Sequence, residues 1–168
     1  RGVTNTAQIK KIIGYNTTTL SPLASTERFS LAKCDKTRKD TFMKLADMLN
    51  VEVVEDTPER YVLHTPVTEA MLQPHGVLHG GISAYLAEHA ASECVTAHTD
   101  INELHGLGLD LTTTHLAPVF EGDTIETVAT PIHNGGRVRV WRIEQFRLSD
   151  GVMFNTSQIT IYMKKVHH

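Results

Sequence analysis

Glu88 stands where a carboxylate is costly. From Gly81 to His98 the chain carries Ile82, Ala84, Tyr85, Leu86, Ala87, Ala90, Ala91, Cys94, Val95 and Ala97, apolar or small residues on nearly every side of a helix. A helix that is apolar all round is a buried one, so this segment is expected to run through the middle of the domain. Three and four positions from Glu88 lie Ala84, Tyr85, Ala91 and Ser92. Burial disfavours a charged carboxylate unless it is paired or lines a site. Two readings follow: a glutamate held by a hydroxyl or backbone partner for structural reasons, or a base or nucleophile in a cleft. Glu93, about 140° further round the helix, addresses another surface.

The residues before this helix supply a second component. Gly80 and Gly81 open it, where unpaired backbone N–H groups and the helix dipole attract developing negative charge. Glycine lets a substrate approach that backbone closely, and a carbonyl oxygen placed there is polarised as in an oxyanion hole. The plainer reading of the pair is a sharp strand-to-helix turn. His79 just before it, and Glu88 nine residues on, strengthen the chemical reading. Other chemistries fit less well. His75, His79 and His89 lack the HExxH spacing of a zinc protease, and Gly76 with Gly80-Gly81 puts His75 and His79 on a loop, so no metal is expected. Ser92 has no histidine at a triad offset, and no G-x-S-x-G elbow occurs.

The elements that must position these groups are readable around them. Phe42, Leu45, Ala46 and Leu49 recur at helical spacing between Asp35 and Asn50, which predicts an amphipathic helix stopped at Asn50. Short β-type runs follow at Val51–Val54 and Tyr61–Val67, divided by the turn-prone Asp56-Thr57-Pro58. Beyond the central helix the chain reads as strands over 108–117, 124–133, 137–148 and 152–163, with turn signals at Glu121-Gly122-Asp123, Asn134-Gly135-Gly136 and Ser149-Asp150-Gly151. This pattern predicts an antiparallel meander. Within it Val138, Val140, Phe146 and Leu148 share one face, and Trp141 and Ile143 take the other. One face covers the helix; the other meets a partner, most simply a second subunit. Residues 1–34, rich in Ser and Thr, read as an arm of unknown function with a short helical piece near Ile9–Ile13. Residues 35–166 read as one domain.

Bulk properties exclude several function classes. The chain has 168 residues, 40% hydrophobic and 21% charged, enough for one sizeable core and unlike a disordered or collagenous chain. Sixteen Lys and Arg against nineteen Asp and Glu leave a net charge of −3, without the basic excess of a nucleic-acid binder. No run of eighteen apolar residues is present to span a membrane. Cys34 and Cys94 form neither a disulfide framework nor a zinc motif, so a reducing compartment is expected. Arg1 in place of Met reads as a trimmed or unobserved natural N-terminus. His167-His168 read as the start of a purification tag and are set aside.

Gln73, His79-Gly80-Gly81, Glu88 and Ser92, followed by the strand-rich half with Asp110-Leu111-Thr112-Thr113-Thr114-His115-Leu116-Ala117-Pro118, resemble the hotdog-fold acyl-CoA thioesterases. The likeness is greatest to the branch holding the phenylacetic-acid-pathway, Arthrobacter-type 4-hydroxybenzoyl-CoA and dihydroxynaphthoyl-CoA enzymes, and it covers roughly residues 40–163. It implies an α+β fold, a long antiparallel sheet wrapped around a central helix. Subunits pair edge to edge into homodimers and often into homotetramers, with active sites at the dimer interface. It further implies Glu88 as nucleophile or general base and the Gly80 N–H as the group polarising the thioester carbonyl. Gln73 and His79 would flank the carbonyl and the leaving thiol, and Ser92 would hold the carboxylate or the attacking water. Substrate contacts fall to Gly81, to His115 near the acyl group, and to the Gly136-Arg137 turn near the phosphates of CoA.

The expectation is therefore a cytoplasmic hydrolase that needs no cofactor and cleaves an acyl-CoA to free acid and CoA, a peroxisome or other organelle being the alternative address. Two rivals stand beside it: a thioesterase for acyl groups on a carrier protein, and a non-catalytic hotdog module that binds acyl-CoA. Gln73, His79, Glu88 and Ser92 together favour catalysis, because binding alone has no need of a buried carboxylate.

Overall fold

The computed structural model describes residues 44–166. The N-terminal arm with Ile9–Ile13, Cys34, Phe42 and the final two histidines lie outside that range. Of the helix expected over 35–50, the described part is one turn, α1 (Leu45–Met48). The Asp47 carboxylate accepts from the Lys44 backbone N–H at 3.0 Å. Asn50 ends it with φ 52, a left-handed position that asparagine tolerates better than most residues. Leu49 is buried, whereas Leu45, expected on the same face, is exposed.

Six strands follow with one long helix between them. They are β1 (Glu52–Asp56), β2 (Tyr61–Pro66), β3 (Leu104–His115), β4 (Thr124–Asn134), β5 (Val138–Arg147) and β6 (Met153–Lys165), and α2 (Gly80–Ala97) falls between β2 and β3. All pairings are antiparallel, in the order β1-β2-β4-β5-β6-β3. The expected four-strand meander is thus corrected. β4, β5 and β6 form a meander, but β3 crosses to the far edge beside β6, and β4 pairs with β2. Between β3 and β4 the chain does not close a hairpin. Its Val119 is buried, and the Val119 carbonyl accepts from Leu78 N–H at 2.8 Å, which sends this link past the start of α2.

The period of two places the core. Ile125, Thr127 and Ala129 of β4, Trp141, Ile143 and Gln145 of β5, and Asn155, Ser157, Ile159, Ile161 and Met163 of β6 all turn inward and are buried. Val138 and Leu148 take the opposite face and are exposed, as their phase requires. Against the inner face α2 sets Leu86, Ala87, Ala90, Ala91, Cys94 and Val95. Gly106 of β3 lets that strand come close: a Cβ there would stand 3.0 Å from Val95 Cγ1. The sheet therefore wraps only one side of α2. Gly81, Glu88, Glu93 and Thr96 on its other side are exposed, and Ile82, Tyr85, His89 and Ser92 are half-buried. The expected sheet wrapped on a central helix is present, but one sheet of one chain covers only one stripe of that helix, so Glu88, expected as a buried carboxylate, is exposed in the single chain. Among the described residues, no helix is long and apolar enough to cross a membrane.

Candidate active site

The start of α2 is built by a compact turn. Gln73 N–H donates to the Val77 carbonyl at 2.8 Å, Leu72 bridges Leu78, and Gly76 sits at φ 76 in the left-handed region that glycine permits. The chain then enters the helix at His79, whose Nδ1 accepts from Gly81 N–H at 2.9 Å. This fixes the tautomer, with the proton on Nε2 when the ring is neutral. The His79 carbonyl receives Ile82 N–H at 2.9 Å. Gly80 N–H, at the first helical position, has no hydrogen-bond partner among the described residues.

That free donor borders a cleft of about 170 Å³ lined by Gly80 together with Gln73, Ser83, His115, Pro118 and Phe154. His115 reaches it from the end of β3 and lies against Gly80 so closely that a Cβ there would stand 2.6 Å from His115 Nε2. A side chain at Gly80 would oblige the exposed His115 ring to move. Gln73 Oε1 is 3.4 Å from His75 Nδ1 at the cleft mouth. Three of the residues singled out from sequence, Gln73, Gly80 and His115, are thus brought together within one chain. His79 and Gly81 abut the cleft as the helix cap and its donor.

Glu88 and Ser92 are not in that cleft. Glu88 projects over β3, where a Cβ on Gly108 would stand 2.8 Å from its Oε1. Ser92 is one turn further on the same side, and its carbonyl accepts from the Thr96 hydroxyl at 2.8 Å. Tyr85 and His89 flank this stripe as a stacked pair with ring centres 5.4 Å apart. Burial pulls the His89 pKa down from its ordinary value; nearby Glu93 opposes that shift and Lys44 adds to it. Gly136 and Arg137 lie elsewhere again, in a cleft of about 290 Å³ with Leu104, Tyr162, Lys164 and Lys165, a strongly cationic rim.

Cys94, on the buried side of α2, is an unsuitable nucleophile. Burial, reinforced by Asp56, pushes its thiol up to about 11, and the sulfur donates to the Thr57 carbonyl at 3.4 Å. Among the described residues no group of three His, Cys, Asp or Glu side chains is placed to hold a metal ion. Sequence reading missed Gly108, Ser83 and the Ala117–Val119 wall. A glycine every second residue, Gly106 and Gly108, in a strand was the available sign for the first, since strand glycines often mark close approach.

An antiparallel sheet wrapped on one long helix is the architecture of the hotdog fold. Residues 75–154 match the thioesterase superfamily. The chain is 41% identical over 108 residues to ComA2 of Bacillus subtilis, a protein named as an esterase, spanning 62% of this chain and 85% of that one. It is 34% identical over 123 residues to the 1,4-dihydroxy-2-naphthoyl-CoA hydrolase of Listeria monocytogenes, spanning 73% and 98%. A solved thioesterase structure from Staphylococcus aureus superposes with a TM-score of 0.70 at 26% identity, covering 73% of this chain and all of that one. This chain belongs to the thioesterase superfamily and is a thioester hydrolase of the hotdog fold.

Proposed function

We propose that this protein hydrolyses acyl-CoA thioesters in active sites shared between two copies of the chain. The Gln73 side chain and the Gly80 N–H of one copy hold the thioester carbonyl, and Glu88 and Ser92 of the other deliver the attack. The observation that carries this reading is the separation within one chain: Gln73 and Gly80 line one cleft, and Glu88 stands outside it over Gly108. Glu88 is more than two helical turns past Gly80, roughly 12 Å along the axis. Two α2 helices paired antiparallel across a two-fold axis bring each helix start to the middle of the other, which makes two equivalent sites. The exposed side of α2 supports such pairing. So does β3, an edge strand with exposed Leu107 and Leu109.

The chemistry is short. With Glu88 as general base, its carboxylate takes a proton from water, the oxygen adds to the carbonyl carbon, and the oxyanion forms against the Gly80 N–H. The C–S bond then breaks, and the thiolate leaves to be protonated. With Glu88 as nucleophile, a mixed anhydride forms first and water cleaves it. Either route uses donors aimed where charge develops, the largest source of acceleration in such reactions. The staphylococcal thioesterase lends support: its structures include a glutamine-to-alanine and a glutamate-to-alanine variant at positions fifteen residues apart, the interval from Gln73 to Glu88 here. The relative from Listeria is named for a CoA thioester. The cationic rim of Arg137, Lys164 and Lys165 suits the phosphates of that leaving group.

The test is thiol release from acetyl-, hexanoyl-, palmitoyl- and benzoyl-CoA, beside the same acyl groups on carrier protein. CoA substrates turned over faster than carrier-linked ones, with Lys164→Glu raising KM for CoA esters only, are the expected results. Turnover confined to carrier-linked substrates would contradict the CoA assignment.

A further inference from the structure

The inner face of the sheet is largely apolar, and its hydrogen-bonded polar side chains gather at one place. There, Thr127, Gln145, Asn155 and His115 stand in register across β4, β5, β6 and β3. Thr127, Gln145 and Asn155 are fully buried, and Ser157 nearly so. The hydrogen bonds of the buried members form one connected set. Gln145 Nε2 donates to Thr127 Oγ1 at 3.1 Å and to the Ser83 carbonyl at 3.2 Å. Asn155 Nδ2 donates to Gln145 Oε1 at 2.7 Å and to Ser157 Oγ at 3.0 Å. Ser157 donates to Thr113 Oγ1 at 2.8 Å, and Thr113 returns to Asn155 Oδ1 at 3.0 Å. Of these groups, the Ser83 carbonyl alone belongs to α2, three residues past Gly80.

From this geometry we infer that Gln145 is a positioning residue: it anchors the first turn of α2 to the sheet and so sets where the Gly80 N–H meets the carbonyl. The inference rests on the reading of Gly80 as the carbonyl donor. Elsewhere α2 touches the sheet through Ala87, Ala90, Ala91 and Val95, contacts without direction that tolerate small slides. A hydrogen bond to a helix carbonyl has direction. A core of similar stability needs no buried amides, since replacing both partners of a buried pair by apolar groups is nearly neutral. The placement of the polar row, ending at His115 and Ser83 on the wall of the cleft, is what a positioning role requires. An error near 1 Å in such a site lowers rates on the order of a hundredfold.

The test compares Gln145→Met, the double variant Gln145→Met/Asn155→Leu, and Ser157→Ala in the full chain. Amide hydrogen exchange at Ile82, Ser83 and Ala84 is measured beside kcat and KM on the best of the four CoA esters. Both Gln145 variants are expected to exchange these amides about tenfold faster, with Ala90 to Val95 unchanged. Their kcat is expected to fall about ten- to a hundredfold with KM within about twofold. The double variant should regain thermal stability and not kcat, while Ser157→Ala loses stability and keeps kcat. Unchanged exchange at 82–84 would overturn the inference, and so would a double variant that recovers kcat with stability. Faster exchange at wild-type kcat would uphold the anchor and refute Gly80 as donor, which separates the two failures.

Discussion

The two halves of α2 are held by different physics. Its first turn is capped by His79, overlaid by His115 and tied through Ser83 to a buried amide. Its second half lies on Trp141, Ile143, Ile159 and Ile161 through alanines, with one flank open. Under the proposed roles, the difference means that a single chain finishes one half of the catalytic arrangement, the polarising half, to close tolerance. It leaves the attacking half presented on an uncovered surface. A site assembled by symmetry needs no loop to carry the carboxylate to the carbonyl. It needs a rigid start to the helix and an exposed middle.

Breaking the attacking half is expected to have the largest effect. Glu88→Ala should abolish turnover with the circular dichroism spectrum unchanged, and Glu88→Gln should do nearly the same. A variant retaining more than about a tenth of wild-type kcat would have lost under ~1.4 kcal/mol of barrier lowering, too little for the assigned role. Next comes the seat of that carboxylate. Gly108→Ala puts a methyl 2.8 Å from Glu88 Oε1, and the exposed side chain can swing aside without disturbing the core. We expect kcat to drop about tenfold, equivalent to about 1.4 kcal/mol, with the melting temperature within a degree or so. A parallel loss of melting temperature would mark Gly108 as structural instead.

The alanine-packed half sharpens the contrast in the other direction. Ala90→Leu overfills a fully buried position and should cost about 1–3 kcal/mol of stability, read as a lower midpoint in urea. Residual folded enzyme should keep most of its kcat. The smallest effect concerns pH. Burial holds the folded-state pKa of His89 below its ordinary 6.5. The unfolded chain therefore takes up a proton first as pH falls, and stability is lost as pH drops below about 6.5 toward the lower folded value. Urea midpoints should decline over that window, and His89→Asn should flatten the decline.

Much of this was legible in the residues. The limits of the strands and of α2 fell within a few positions, because turn glycines such as Gly122 and Gly151, with φ 84 and 71, punctuate the chain where the backbone demands them. The helix start was readable from His79-Gly80-Gly81. What the sequence hid was long-range. The period of two gives a strand's faces and not its neighbours, so nothing local said that β3 joins β6 at the edge instead of pairing with β4. The apolar pattern of α2 marked a central helix but did not show that one side of it, with Glu88, stays exposed in the single chain. Gln145 and Asn155 share the inward phase with Trp141, Ile143 and Ile159. Two amides in core phase were a visible sign of the buried network, but their convergence on Ser83 appears only once β5 and β6 pair.

The central claim, a site shared between copies, is tested most directly by complementation. Gln73→Ala and Glu88→Ala chains, each first shown to be severely impaired alone, are co-expressed with different affinity tags, and mixed dimers are isolated through both. In a mixed dimer one composite site carries both defects and the other carries neither, so about half of wild-type activity per dimer should return. Mixed dimers as inactive as their parents would mean that Gln73 and Glu88 of the same chain serve the same site, and the shared-site account would be wrong.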